Sequence, residues 1–147
     1  MDLQSFNAKA QGGSFELLAI QEVPLTALTN VSDHPVEVTI TSTGRWSLIN
    51  FETSDPKLVK YKTWTDGDGY VRDQNDKKYK FKYPHLNPAA LVAEIKDAQG
   101  NVKSSFGGKE QNLKLQPGDT LSFIINDDPG YFKNNLGSLT ISYSIAI

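Results

Sequence analysis

Leu139-Thr140-Ile141-Ser142-Tyr143-Ser144-Ile145-Ala146 alternates large apolar residues with polar or small ones at every step. In an extended chain successive side chains point to opposite faces. A period of two therefore describes a strand with one face on a core and the other in water. Val36-Glu37-Val38-Thr39-Ile40-Thr41 carries the same pattern. Working outward, further strands are expected at 15–23, 46–51, 79–83, 91–95, 102–106, 112–115 and 121–125. Residues 89–93 read equally well as a short helix or as strand. Turn signals punctuate these runs: Gly12-Gly13, Asp33-His34-Pro35, Thr43-Gly44, Gln99-Gly100-Asn101, Gly107-Gly108, Pro117-Gly118-Asp119 and Pro129-Gly130. Many short half-buried strands at this spacing predict an all-β fold, an antiparallel β-sandwich of jelly-roll type.

The chain has 147 residues, no cysteine and a formal net charge of −2. That length fits one domain with a sizeable core, residues 1–147, with roughly the first 14 residues at its periphery. Without cysteine there is no disulfide scaffold, thiolate metal site or thiol nucleophile. The slight acidic balance argues against a nucleic-acid partner. No stretch reaches the roughly 18 apolar residues of a membrane helix. No signal peptide is visible at Met1-Asp2-Leu3-Gln4-Ser5-Phe6, so the expectation is a cytoplasmic protein, or one exported by another route.

Enzyme motifs are missing. The two histidines, His34 and His85, each sit beside a proline and read as turn or packing residues. Lys77-Lys78-Tyr79-Lys80-Phe81-Lys82-Tyr83 interleaves bases and aromatics. Strand geometry puts the two sets on opposite faces, which fits a solvated edge strand better than a single-strand nucleic-acid platform. Thr65-Asp66-Gly67-Asp68-Gly69-Tyr70 hints at an EF-hand loop, but Trp64 takes its first ligand position and Asn75 its last. Trp46 reads as core.

The densest group of hard oxygen donors is Asn126-Asp127-Asp128-Pro129-Gly130-Tyr131-Phe132-Lys133-Asn134-Asn135, between two expected strands. Calcium accepts six to eight such oxygens from carboxylates, amides and backbone carbonyls. Transition metals want Cys, which this chain lacks, or a His pair, which His34 and His85 do not suggest. Asn, Asp, Pro and Gly are also ordinary turn residues, so composition alone leaves a plain polar loop open.

The motif Asn126-Asp127-x-Pro129-Gly130-x-x-x-Asn134-Asn135-x-Gly137 resembles that of the calcium-dependent galactophilic bacterial lectins of the PA-I type and their related galactose-binding jelly-roll domains, which implies a galactose-binding-domain-like β-sandwich. Thr39 through Leu48, Ala89-Ala90-Leu91-Val92-x-x-Ile95 and Pro117-Gly118-Asp119 extend the resemblance, in order, over roughly residues 22–145. The resemblance implies one Ca2+ per chain. Its ligands would be the Asp127 carboxylate, the Asn134 and Asn135 side chains, and the backbone carbonyls of Tyr131 and Leu48. It also implies vicinal hydroxyls of a galactose-type or related sugar completing the shell, with Asp127 and Asn134 hydrogen-bonded to them. Where the family reads further hydroxyls with His and Gln, this chain offers Asp76 and Tyr79 in one alignment and Thr65 and Asp68 in another. Asp128 replaces an apolar residue, and Trp64 and Tyr70 are placed to stack on a pyranose. The expected sugar-binding set is Asp127, Asn134, Asp128, Asp68 and Trp64. A non-enzymatic lectin, dimeric or tetrameric, is the reading that follows. A calcium-stabilised module for a non-sugar partner and a small glycan-active enzyme are the alternatives.

Overall fold

The computed structural model describes residues 5–6, 12–48, 63–71, 81–130 and 132–146. Nine strands follow in order: β1 (Ser5–Phe6), β2 (Gly12–Leu18), β3 (Leu25–Asn30), β4 (Val36–Ser47), β5 (Leu91–Lys96), β6 (Val102–Gly107), β7 (Glu110–Leu115), β8 (Thr120–Ile125) and β9 (Leu136–Ala146). They build two sheets, ordered β1-β3-β8-β5-β6 and β2-β9-β4-β7. Every pairing is antiparallel except the parallel β1–β3 contact. The fold is the expected β-sandwich.

The alternating strands bury the faces their patterns indicate. Val36, Val38 and Ile40 of β4, Leu139, Ile141 and Ile145 of β9, and Leu113 and Leu115 of β7 join one apolar cluster with Leu91, Ala93 and Ile95 of β5 and Leu121, Phe123 and Ile125 of β8. Each large aliphatic side chain sealed there contributes about 1.5–3 kcal/mol relative to exposure. Trp46 is completely buried, and its indole N–H donates to the Ala89 carbonyl at 2.8 Å. Strand β5 is buried on both faces, because Val92 and Glu94 on its outer side are covered too. Tyr83 lies over that side, donating its hydroxyl to Glu94 Oε2 at 2.5 Å. Burial, with the hydrogen bond and charge of Glu94, drives the Tyr83 phenol well above its ordinary range.

Several expectations shift. Residues 89–93 are not helical: Ala89 turns the chain with φ 61° and β5 begins at Leu91. The strand expected over 15–23 spans Gly12–Leu18 instead, so Gly12-Gly13 is strand, paired with Ser144 and Tyr143. Thr43-Gly44 is not a turn but lies inside β4, because β9 continues to pair as far as Ser47↔Leu136. Strand β3 is an addition to the expected set. A register shift between Thr26 and Leu28 breaks its alternation, leaving Ala27 and Leu28 both buried. Of the Lys-rich run, residues 77–80 lie outside the described residues. Phe81 and Tyr83 are buried and Lys82 exposed, as period two requires, although 81–83 are not assigned to a strand. Among the described residues no helix is long and apolar enough to cross a membrane.

One end of the sandwich collects the functional loops. Strand β2 ends opposite Ser138, β4 ends opposite Leu136, β8 ends opposite Leu91 and β6 ends opposite Val92. The β2–β3 and β6–β7 connections therefore lie at that end, as do the described residues that immediately follow β4 and β8 and precede β5 and β9.

Candidate functional site

Asp127 follows directly from β8 and is completely buried. Its Oδ1 accepts the Asp128 amide at 2.7 Å. Its Oδ2 is sealed from solvent with no hydrogen-bond partner among the described residues. Burial pushes this carboxyl up to about 6; the Asn135 amide and the Asp128 N–H hold it partway down, while the charges of Asp128 and Glu22 add to the rise. A buried carboxylate is costly unless a proton or a cation compensates it. The other buried acids differ: Asp119 takes the Lys103 ammonium at 2.7 Å and Glu94 takes the Tyr83 hydroxyl.

Asn135 enters the same place from the start of β9. It is nearly buried, its amide nitrogen donates to the Ala19 carbonyl at 3.0 Å, and its backbone N–H closes the 3-10 turn Phe132–Asn134. Leu48 arrives from the end of β4, one residue past the Ser47↔Leu136 pair, and is fully buried. Tyr70 links these elements. Its hydroxyl hydrogen-bonds the Thr63 carbonyl, makes a long 3.5 Å contact with the Leu48 N–H, and lies within electrostatic reach of Asp127. Burial, the largest influence, raises the Tyr70 phenol. The structure thus brings Asn135 against Asp127, with Leu48 linked to them through Tyr70. Tyr131 and the Asn134 side chain lie outside the described residues. Asp128 is half-buried beside Asp127.

Trp64 is half-exposed, and its ring lies against Gly137, two residues beyond Asn135. Gly137 has φ 91°, and a Cβ there would come within 2.5 Å of the Arg45 carbonyl and 2.8 Å of the Trp64 ring. Only glycine lets β9 turn into its strand while the indole sits beside it. Tyr70, the other aromatic offered for stacking, is instead buried. Asp68 stands elsewhere at this end: its Oδ1 accepts the Lys109 N–H at 2.9 Å, on the β6–β7 turn. Asp66 and Asp68 share the Lys109 ammonium at 3.5 and 4.0 Å, so a lysine serves the acids of the EF-hand-like stretch.

Sequence reasoning missed the residue that holds the loop in place. Asn126 is completely buried; its Oδ1 accepts the Tyr83 N–H, and its Nδ2 faces the carbonyls of Tyr83, Leu86 and Asn87 at 3.0, 3.2 and 3.0 Å. Its position in the Asn-Asp dipeptide is visible in sequence, but its partners lie some forty residues away. Among the described residues, no three His, Asp or Glu side chains gather around one point. Any cation here would depend on amide and backbone oxygens as well as the carboxylate.

No protein-family model matches the chain, and no curated protein matches it. Among solved structures, the chain is similar to the EclA N-terminal domain, a PllA-like lectin. The TM-score is 0.59 at 15% identity, covering 90% of this chain and 95% of that one. The fold is lectin-like. At that identity the likeness concerns the path of the backbone. The chemistry of this domain rests on its own residues.

Proposed function

We propose that this protein is a non-enzymatic carbohydrate-binding domain in which calcium, held by the β8–β9 loop, bridges two vicinal hydroxyls of a galactose-type or related sugar. One observation carries the reading: the buried Asp127 carboxylate, whose Oδ2 has no partner among the described residues, lies where the ends of β4 and β8 and the start of β9 converge. The donor set is all oxygen, which suits a hard cation. Asp127 and Asn135, the Leu48 and Tyr131 carbonyls and the Asn134 side chain would hold it. Once bound, the ion supplies open coordination positions that replace the water contacts a sugar hydroxyl must give up. The residues around it do the rest. Asp127 and Asn134 hydrogen-bond the same hydroxyls, charge-assisted at the carboxylate. Asp128 and Glu22 add negative potential that favours a cation. Trp64 offers an apolar ring at the rim for the C–H face of a pyranose.

Calcium titration by calorimetry and thermal unfolding test this, followed by a glycan array with and without EDTA. Calcium should raise the melting temperature, and EDTA should reverse the rise. Galactosides or related glycans should bind only when calcium is present. Asp127→Ala should abolish calcium-dependent binding and leave the β-sheet circular dichroism intact. Sugar binding of normal strength in that variant would overturn the proposal. Calcium binding with silence across the array would point to a non-sugar partner. Glycan turnover surviving Asp127→Ala would point to an enzyme.

A further inference from the structure

A second concavity opens at the same end of the sandwich. It is a cleft of about 420 Å³ lined by Asp68, His85, Leu86, Asn87, Ala90, Gly107 and Gly108, a size within the usual range for small-molecule sites. Among the described residues, Asn126 fastens its wall to the β8–β9 loop. Asn126, which precedes Asp127, reaches the Leu86 and Asn87 carbonyls with its amide and takes the Ala90 carbonyl with its backbone N–H at 3.0 Å. Three of the cleft's lining residues are thereby bonded to the immediate neighbour of Asp127. The cleft and the loop are therefore neighbours, joined through the buried Asn126.

Its lining combines two kinds of chemistry. Asp68, His85 and Asn87 are exposed at its sides. Asn87 Nδ2 is steadied by the Asp68 carbonyl at 3.1 Å, and His85 Nε2 lies 3.3 Å from Ser105 Oγ. Asp68 Oδ2 has the Lys109 ammonium only at 4.0 Å. Among the described residues, those contacts leave Asp68 Oδ2, the Asn87 amide oxygen and His85 Nδ1 for hydroxyl groups. Leu86 and Ala90 supply apolar surface, and the two glycines leave one wall bare. A Cβ on Gly107 would sit 3.3 Å from a Leu86 methyl and 3.5 Å from the Ala90 Cβ, so a larger residue there would project into the cleft. Polar edges around an apolar floor match a pyranose, with hydroxyls at its rim and C–H groups on its face.

We infer that this cleft is a second saccharide subsite, so that the domain reads an oligosaccharide rather than a single terminal sugar. The inference rests on the calcium-and-sugar reading of the Asp127 loop. It assigns Asp68, Asn87 and His85 to the neighbouring residue of the glycan. It also gives Asp68 a role away from the calcium loop.

The test compares methyl β-galactoside with lactose and longer galactose-terminated oligosaccharides. Binding is measured by calorimetry with calcium, in the wild type, His85→Ala and Gly107→Val. His85 is exposed, so its variant should fold; Gly107 has no positive φ, and valine there presses on the Leu86 methyls and narrows the cleft, its folding checked by circular dichroism. Oligosaccharides should bind the wild type more tightly than the monosaccharide. Their affinity should fall about five- to tenfold in His85→Ala, the worth of one or two hydrogen bonds, and further in Gly107→Val, while the monosaccharide changes less than about twofold. Amide chemical shifts of Gly107 and Gly108 should move with oligosaccharide and not with monosaccharide. Equal losses for both ligands, or none for either, would overturn the subsite and leave the calcium site standing. Absence of calcium-dependent sugar binding altogether would overturn both.

Discussion

Asp127→Asn separates the two ways in which the buried carboxylate can be compensated. Burial lifts its folded-state pKa from 3.8 to about 6. Between those values the folded protein holds a proton that the unfolded chain releases. Without a cation, stability is therefore greatest below pH 4 and falls as pH rises through 6. Each tenfold difference in proton affinity between the two states is worth about 1.36 kcal/mol, so this side chain costs the fold on the order of 3 kcal/mol at pH 7.5. Asparagine has nearly the same shape and no charge. It keeps an oxygen for the Asp128 N–H and places an amide nitrogen where Oδ2 has no partner, which returns part of the gain. Urea unfolding in EDTA at pH 7.5 should find the variant more stable than wild type by about 1–3 kcal/mol, or roughly 2–4 °C in melting temperature per kcal/mol for a chain this size. At pH 4 the two should converge. Adding calcium should reverse the order: the wild type gains stability and Asp127→Asn does not. A variant several kcal/mol less stable than wild type in EDTA at pH 7.5 would refute the reasoning, because the carboxylate would then be structurally paired. Equal stabilisation of both proteins by calcium would place the ion elsewhere.

The remaining predictions concern the frame of the site and its rim. Asn126→Ala strips the Tyr83 N–H and three carbonyls of a buried partner and should cost about 3–5 kcal/mol by denaturant unfolding, with calcium affinity falling alongside. Gly137→Ala combines a positive φ with a 2.5 Å approach to the Arg45 carbonyl. It should lower stability by about 1–3 kcal/mol and shift the fluorescence of the adjacent Trp64. Trp64→Ala should unfold within about 0.5 kcal/mol of wild type yet weaken sugar binding about tenfold, read by calorimetry; unchanged sugar affinity would remove the ring from the site. Calcium binding should survive Tyr131→Ala, since only the backbone carbonyl is assigned to the ion.

The legible parts of this protein were those written in local pattern. Val36–Thr41 and Leu139–Ala146 alternate, so their buried faces follow from strand geometry alone. Trp46 was readable as core from its size and its place beside an apolar run. The Asp127 loop stood out because many oxygen donors fall within ten residues. Strand β3 was not legible, because its bulge hides the period. Thr43-Gly44 misled because a glycine marks a turn only when no neighbouring strand continues to pair with it.

The amino-acid sequence by itself determined the all-β class, the inward faces of the long strands and the crowding of oxygen donors in the β8–β9 loop, since each depends on residues close together in the chain. Only the tertiary structure decided that Asp127 is buried with one oxygen unpartnered among the described residues, that Trp64 rather than Tyr70 stays at the surface, and that Asn126 clamps residues 83–87 to the loop. Those properties arise from the ends of β4 and β8 meeting the start of β9. Burial and partner choice are set by what the rest of the chain packs against a residue, and for Asn126 those partners lie some forty positions away.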